Sequence, residues 1–502
     1  MSALHTRRQL LSMLGATVAW SGVAAATPNS PSETGGSTAT PTAAPTDPDQ
    51  PIGTHRTSGV TPARAGYNAD ESPPEAAVSR QWCVGTDAAN RQSEVAVVDG
   101  TVLSATPEGL RALDARTGER QWRARIDGGP PTVRDGRVYV GTGDAVSCLG
   151  DDSGRELWTR RLSRVTAEPL LLDVDGQGLT VFTAAKRMDE DGATTGAVLH
   201  ALDAETGETA YRIQGDTDSI YGTLAGRGTH VYGGTTAGTV IAFDVEARGV
   251  AWKVDLGEYV NSVAVTGETV FAGSHTGVVA ALDRTTGEER WRTTLEGDDV
   301  EVRARPAVTA DTVYVAATDG NLYAFDRETG AERWRFDGGA RLSQRPAVVG
   351  ADAPSVVFGS DAGNVFSVDG SGDMQWTHQL RDRVNTPPVV VDGIVYVGDD
   401  TGRLYALANA ESNPGSDGAS CRTPTKTAER ERRDTDGDGV VNRRDYAPRD
   451  AAVQSEHDHR NSVRRSANED EGAGFLLGTG VGAGASLLGV GLGYLLWGRS
   501  DE

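Results

Sequence analysis

The phrase at residues 313–334, Val-Tyr-Val-Ala-Ala-Thr-Asp-Gly-Asn-Leu-Tyr-Ala-Phe-Asp-Arg-Glu-Thr-Gly-Ala-Glu-Arg-Trp, returns through most of the chain. A repeat of this kind constrains the fold more than composition does, because one unit cannot bury its apolar face alone and must stack on its neighbours. Residues 313–315 and 322–325 are short β-rich runs, and Asp319-Gly320 between them supplies the positive φ that a tight hairpin needs. Residues 326–330 form a second turn. There the Asp326 carboxylate accepts backbone N–H groups and Gly330 turns left-handed before a third strand that carries Trp334. With a further strand at 306–309, the unit is a four-stranded antiparallel meander.

The unit recurs around residues 102–122, 138–158, 181–211, 231–252, 270–291 and 356–376. Its aromatic residue stands at Trp82, Trp122, Trp158, Tyr211, Trp252, Trp291, Trp334 and Trp376, at intervals of 36 to 53 residues. A period near 40 residues is that of a propeller blade. The two ends are incomplete in opposite ways: Trp82 has no strand trio before it, and residues 395–407 have no tryptophan strand after them. If the Trp82 strand completes the sheet begun at Pro388, the result is an all-β fold, an eight-bladed propeller closed by its N-terminal strand. Closure removes the free sheet edge that invites aggregation. One tryptophan per blade on the outer strand reads as packing between blades, not as a cofactor stack.

In its order of strand, Asp319-Gly320, Leu322-Tyr323-Ala324-Phe325-Asp326, Thr329-Gly330 and Trp334, the unit resembles the pyrroloquinoline-quinone-like (PQQ-like) β-propeller repeat. The resemblance covers residues 79–408 and implies the fold. That family holds quinone-dependent dehydrogenases, a bacterial outer-membrane assembly scaffold and binding propellers, so function has to be read from the site.

Lysine occurs only at Lys186, Lys253 and Lys426, whereas Asp and Glu number 71 and the net charge is −23. Carboxylates replacing lysine suit a protein bathed in high salt, as in a halophile, where screening weakens their repulsion. The acidic balance excludes nucleic acid as a partner, since phosphates demand a basic face. Three cysteines make no disulfide framework. Cys148 takes the place that Ala112 has in the neighbouring unit and reads as a buried free thiol; Cys421, in polar sequence, reads as free or intermolecular.

Residues 1–26 read as an export signal of the twin-arginine type: Arg7-Arg8, an apolar run, then Ala24-Ala25-Ala26. Residues 27–74, rich in Thr, Pro, Ser, Ala and Gly, read as a disordered spacer. After the ring, 409–433 and 446–472 are polar linkers. Between them lies the loop 434–445, with oxygen donors at Asp434, Asp436, Asp438, Asn442 and Asp445, the carbonyl of Val440 and a turn at Gly439. This spacing wraps Ca²⁺ in oxygen ligands. It resembles the calcium loops of dockerins and thrombospondin type 3 repeats, which implies a structural role in a stalk. Residues 475–497 carry no charge and are long enough for a transmembrane helix. With an exported N-terminus, the ring would stand on the extracytoplasmic side of the cell membrane.

Aligning the units on their Val-Tyr-Val strands brings Glu94, Pro130, Glu168, Thr223, Ser262, Arg305, Arg345 and Pro387 to one position, at the loop entering the innermost strand. These residues, with the neighbouring Tyr221, Asn261, Arg303, Gln344 and Asn385, are expected to ring the mouth of the central channel as a ligand-binding rim. The inserted loop at 186–196 is expected over the same rim. Arg303, Arg305 and Arg345 have two readings: a cluster that grips a carboxylate or phosphate in forked hydrogen bonds, or loop residues in solvent, some paired with Glu94 or Glu168 across the channel. The function the sequence favours is a membrane-anchored scaffold that binds a ligand or an envelope protein, without catalytic residues. The alternative implied by the resemblance is a quinone-dependent dehydrogenase oxidising alcohols or sugars. The alcohol-oxidising members hold the quinone against two adjacent cysteines with Ca²⁺ inside the ring; this chain has no adjacent cysteines.

Overall fold

The computed structural model describes residues 64–410, except 75–76, 86–93, 107, 127, 175, 177, 190–193, 216–218 and 298, together with Thr61 and Cys421. The export signal, most of the spacer, the calcium loop and the transmembrane segment proposed from sequence lie outside the described residues. No helix among the described residues is long and apolar enough to cross a membrane.

Eight antiparallel four-stranded blades make the ring, and two of these sheets gain a fifth, parallel strand at the axis, Tyr67–Asn68 and Ala167–Glu168. Blade 1 begins with Ala96–Val98, and blades 2 to 8 begin with the innermost strands Thr132–Arg134, Leu170–Val174, Ile220–Arg227, Val263–Thr266, Ala307–Val308, Ala347–Val349 and Val389–Val391. Blade 8 is completed from the far end of the chain. Its third strand, Leu404–Asn409, pairs antiparallel with Val78–Val84, and Trp82 stands opposite Ala406. The closure and the blade count expected from the two incomplete ends are therefore what the chain adopts.

The seams between blades explain the repeated residues. In blade 5 the Trp291 indole N–H donates to the Arg327 carbonyl of blade 6 at 2.8 Å. The same bond joins Trp82 to Ala115, Trp122 to Asp151, Trp252 to Arg284 and Trp334 to Gly370. The ring of Trp291 lies over Gly330, whose φ is +71° and where a Cβ would sit 2.7 Å from the ring. The Thr-Gly of the motif is thus a wedge cut to admit the neighbour's tryptophan, and Asp326 fixes that turn by accepting from the Thr329 N–H at 2.9 Å. Opposite each aromatic the partner strand carries a small residue, Ala324 for Trp334 and Cys148 for Trp158. That pairing is why Cys148 is a fully buried free thiol, as its place in the repeat indicated.

Two expectations are corrected. Cys421 is neither free nor intermolecular: it forms a disulfide with Cys83 on the closing strand, across 338 residues. Residues 64–74, assigned by composition to the spacer, are laid against the ring. Blade 8 has no turn of its own between third and fourth strands, and the bond that Trp376 needs is made to the Pro74 carbonyl at 3.1 Å. Glu71 accepts from the Asp392 N–H at 2.6 Å.

Candidate functional site

Each innermost strand runs from the loop that enters its blade down to a hairpin on the opposite rim. The entering loop is tied to the loop between second and third strands on the same rim: His275 N–H donates to the Tyr259 carbonyl, Thr318 to Glu301, Asp361 to Arg341 and Asp400 to Arg383, all at 2.9–3.0 Å. One face of the ring therefore carries both sets of variable loops, as the sequence geometry required. The long hairpin of blade 3, Gly178–Met188 with Thr194–Asp203, rises on this face.

Of the residues expected on the rim, the structure draws one group to the axis. Glu94, Arg305 and Arg345 are buried, at 7%, 4% and 2% exposure. Arg345 pairs with Glu94. Arg305 donates to the Thr223 hydroxyl at 2.8 Å, and that hydroxyl donates to Ser262 Oγ at 2.8 Å. Of the two readings from sequence, the pairing with Glu94 across the channel holds for Arg345, but neither Arg305 nor Arg345 faces solvent: they belong to a buried ionic cluster. Arg303 stays outside, paired with Glu301.

The member that sequence reasoning missed is Arg64. It is fully buried at the axis, in a left-handed conformation (φ 60°). Its guanidinium donates to the carbonyls of Leu224 at 3.1 Å and Pro169 at 3.3 Å, and lies 3.4 Å from a Glu168 carboxylate oxygen. The residues after it line the channel. Tyr67 and Asn68 pair in parallel with Val348 and Val349, and the carbonyls of Ala65, Gly66 and Asn68 accept from the N–H groups of Val308, Val348 and Gly350. Parallel pairing fixes the direction: the chain runs down the channel from the loop-bearing rim to the opposite one. No repeat signal marks Arg64, because the segment belongs to no blade.

Arg64, Arg305 and Arg345 thus meet the buried Glu94 and the partly exposed Glu168, and each acts electrostatically on the others. Burial raises the Glu168 carboxyl above its ordinary range, although Arg64 pulls it down. Burial, and then the neighbouring Arg345, lower the Arg305 guanidinium. Such a cluster holds its shape only while each buried charge keeps its counter-charges and the remaining donors find acceptors.

Around the mouth stands the second group. Tyr221 is 49% exposed and meets Tyr259 edge to face at 6.1 Å; Tyr259, at a positive φ of 37°, stacks on His275 at 4.7 Å. The Asn261 side chain donates to the Arg303 carbonyl at 2.9 Å and lies 3.2 Å from His275 Nε2. His275 reaches Glu301 at 3.6 Å, and burial keeps its imidazole below the ordinary pKa. Asn385, on blade 8, donates to Asp400 at 2.9 Å. Blades 4 to 6 thus present three rings beside an Asn, a carboxylate and a guanidinium. Such a surface suits recognition by stacking and hydrogen bonding.

Residues 106–237 and 236–414 match the family model described as outer membrane protein assembly factor BamB. The outer membrane protein assembly factor BamB of Yersinia pestis is 32% identical over 217 residues, 36% of this chain and 52% of its own. The serine/threonine-protein kinase AfsK of Streptomyces coelicolor is 32% identical over 345 residues, 66% of this chain and 40% of its own. The chain therefore spans about half or less of the length of these relatives. The quinohemoprotein alcohol dehydrogenase from Comamonas testosteroni has the same fold, with a TM-score of 0.58 at 14% identity over 75% of this chain and 82% of that one. Since the family model extends over more than half of the sequence, the chain belongs to the BamB family of PQQ-like repeat propellers.

Proposed function

We propose that this protein is a binding scaffold at the cell envelope, its ring held on the extracytoplasmic side by residues 475–497, and that it takes a protein partner on the loop-bearing rim. The observation that carries this reading is the division of that face. Its axis is filled by the chain's own buried Arg64, while Tyr221 and Arg303 stay exposed beside it on blades 4 to 6. Kinship with an assembly factor supports a protein as the partner. The six ligands of the loop 434–445, Asp434, Asp436, Asp438, Val440, Asn442 and Asp445, would hold one Ca²⁺ and stiffen the stalk, away from the rim.

The fold shared with a quinohemoprotein dehydrogenase raises the enzymatic alternative, and the residues at the axis do not fit it. A planar quinone would have to share the channel with the 64–70 segment. Cys83 is bonded to the distant Cys421 instead of to an adjacent cysteine. No catalytic step is derived from this geometry.

The test is affinity capture from envelope extract with the full-length chain and with a Tyr221→Ala/Arg303→Ala variant. An Arg116→Ala variant, changed in a turn on the opposite rim, serves as the control. The reading expects a partner retained by the parent and the control and lost with the rim variant. Identical capture by all three, or dye reduction with alcohols or sugars after quinone is added to the purified protein, would overturn it.

A further inference from the structure

We infer that the central channel is a recognition site for an arginine-bearing polypeptide segment, filled in this chain by its own residues 64–70. The site lies apart from the exposed rim to which the scaffold reading assigns a partner, so either can fail alone.

The segment is bound as a ligand is bound. It belongs to none of the eight sheets' repeats, and blades 3, 4, 6 and 7 hold it through different groups. Its main chain is read by three N–H donors, from Val308, Val348 and Gly350, which is how a strand-adding peptide gains affinity without regard to side chain. Its side chains are read where they differ. The Arg64 guanidinium is satisfied by two main-chain carbonyls, of Leu224 and Pro169, and by the Glu168 carboxylate; a lysine ammonium has no planar fork to match acceptors so placed. At Gly66 a Cβ would lie 3.1 Å from the Ala307 Cβ at a φ of +67°, so the position selects glycine. The Tyr67 hydroxyl donates to the Gly350 carbonyl at 3.3 Å, and its ring packs on the core shared by blades 6 and 7.

The recognised chemistry is therefore Arg-x-Gly-aromatic, with left-handed turns at the Arg and the Gly, entering by the loop-bearing rim. The channel supplies placed acceptors and no net charge. Without Arg64 the described cluster is two carboxylates against two guanidiniums, with the Leu224 and Pro169 carbonyls still aimed at the vacated position. A partner polypeptide carrying the same pattern meets the same acceptors once the cis segment has withdrawn. The cis segment competes at the high effective concentration that a short tether gives.

The experiment uses the full chain with a protease site placed between Pro74 and Val78, folded first and cut afterwards. A labelled peptide of residues 61–70 is titrated into the cut protein, beside the same peptide with Arg64→Ala and with Arg64→Lys. The expected result is saturable exchange of the peptide into a ring whose circular dichroism is unchanged. The alanine peptide should bind at least about tenfold more weakly, and the lysine peptide should fall between them. Uncut protein should take up little peptide. The inference is overturned if the cut segment cannot be exchanged, if the ring unfolds as the segment leaves, or if the alanine peptide binds as well as the parent.

Discussion

The outer seams and the axis of this ring are built on opposite plans. At the seams one device is repeated, a tryptophan seated on the next blade's glycine with its indole N–H on a carbonyl, and each copy depends only on its neighbour. At the axis nothing repeats. Five charged side chains from four blades and the N-terminal segment meet once, and each depends on the rest. Errors should therefore be local and similar at the seams, and shared and unequal at the axis.

The largest effects are expected at the axis, and they should depend on sign. Among the described residues the cluster counts three guanidiniums to two carboxylates. Glu94→Gln leaves three against one and should cost about 3–5 kcal/mol, the usual penalty for an uncompensated buried charge. Arg345→Met leaves two against two and should cost clearly less, although both changes break the same ion pair. Urea unfolding of the two variants checks this. Equal losses would mean that the pair acts alone and that the five groups form no unit.

A smaller effect separates the wedge from the turn that carries it. Gly330 and Gly100 both have positive φ, +71° and +73°, but a Cβ at Gly330 would meet the Trp291 ring at 2.7 Å, whereas nothing lies within 4 Å at Gly100. Gly100→Ala should cost about 1 kcal/mol from the backbone alone. Gly330→Ala should cost about 1–3 kcal/mol more, from displacing the indole. If thermal unfolding shifts equally for both, the seam has slack and the wedge is not what holds it.

This contrast also decides what could be read in advance. The seams were legible because their physics is local and repeated: a glycine, a tryptophan and an Asp turn recur at one spacing, and Cys148 could be placed by register alone. Aligning the entering loops found Glu94, Glu168, Arg305 and Arg345, but not that Glu94 and the two arginines are buried, because burial there is imposed by Arg64, some 240 and 280 residues from the two arginines. Composition reads residues 64–74 as spacer for a physical reason. The segment has too few apolar side chains to fold by itself, and its order is borrowed from the channel through main-chain bonds and one guanidinium. The Cys83–Cys421 disulfide was hidden in the same way, since only ring closure brings its two ends together.

One seam departs from the plan and gives the finest test. Between blades 3 and 4 the aromatic is Tyr211, and the neighbouring turn carries Arg248 at φ 55° where other blades have glycine. The guanidinium lies 4.6 Å over the Tyr211 ring, so this seam is capped from outside instead of wedged. Replacing Arg248 with glycine would relieve a left-handed residue, a gain of about 1–2 kcal/mol. Against this stand the cation–π contact, about 0.5–1 kcal/mol, and the entropy that a glycine adds to the unfolded chain, about 0.4–1 kcal/mol. These terms nearly cancel, so Arg248→Gly should move the unfolding free energy by less than about 1 kcal/mol, in contrast to Gly330→Ala. A loss above about 2 kcal/mol would mean that the cation carries this seam as the tryptophans carry theirs. Near-neutrality would mean instead that the register of the blades, set by their strands, holds even where the wedge has been lost.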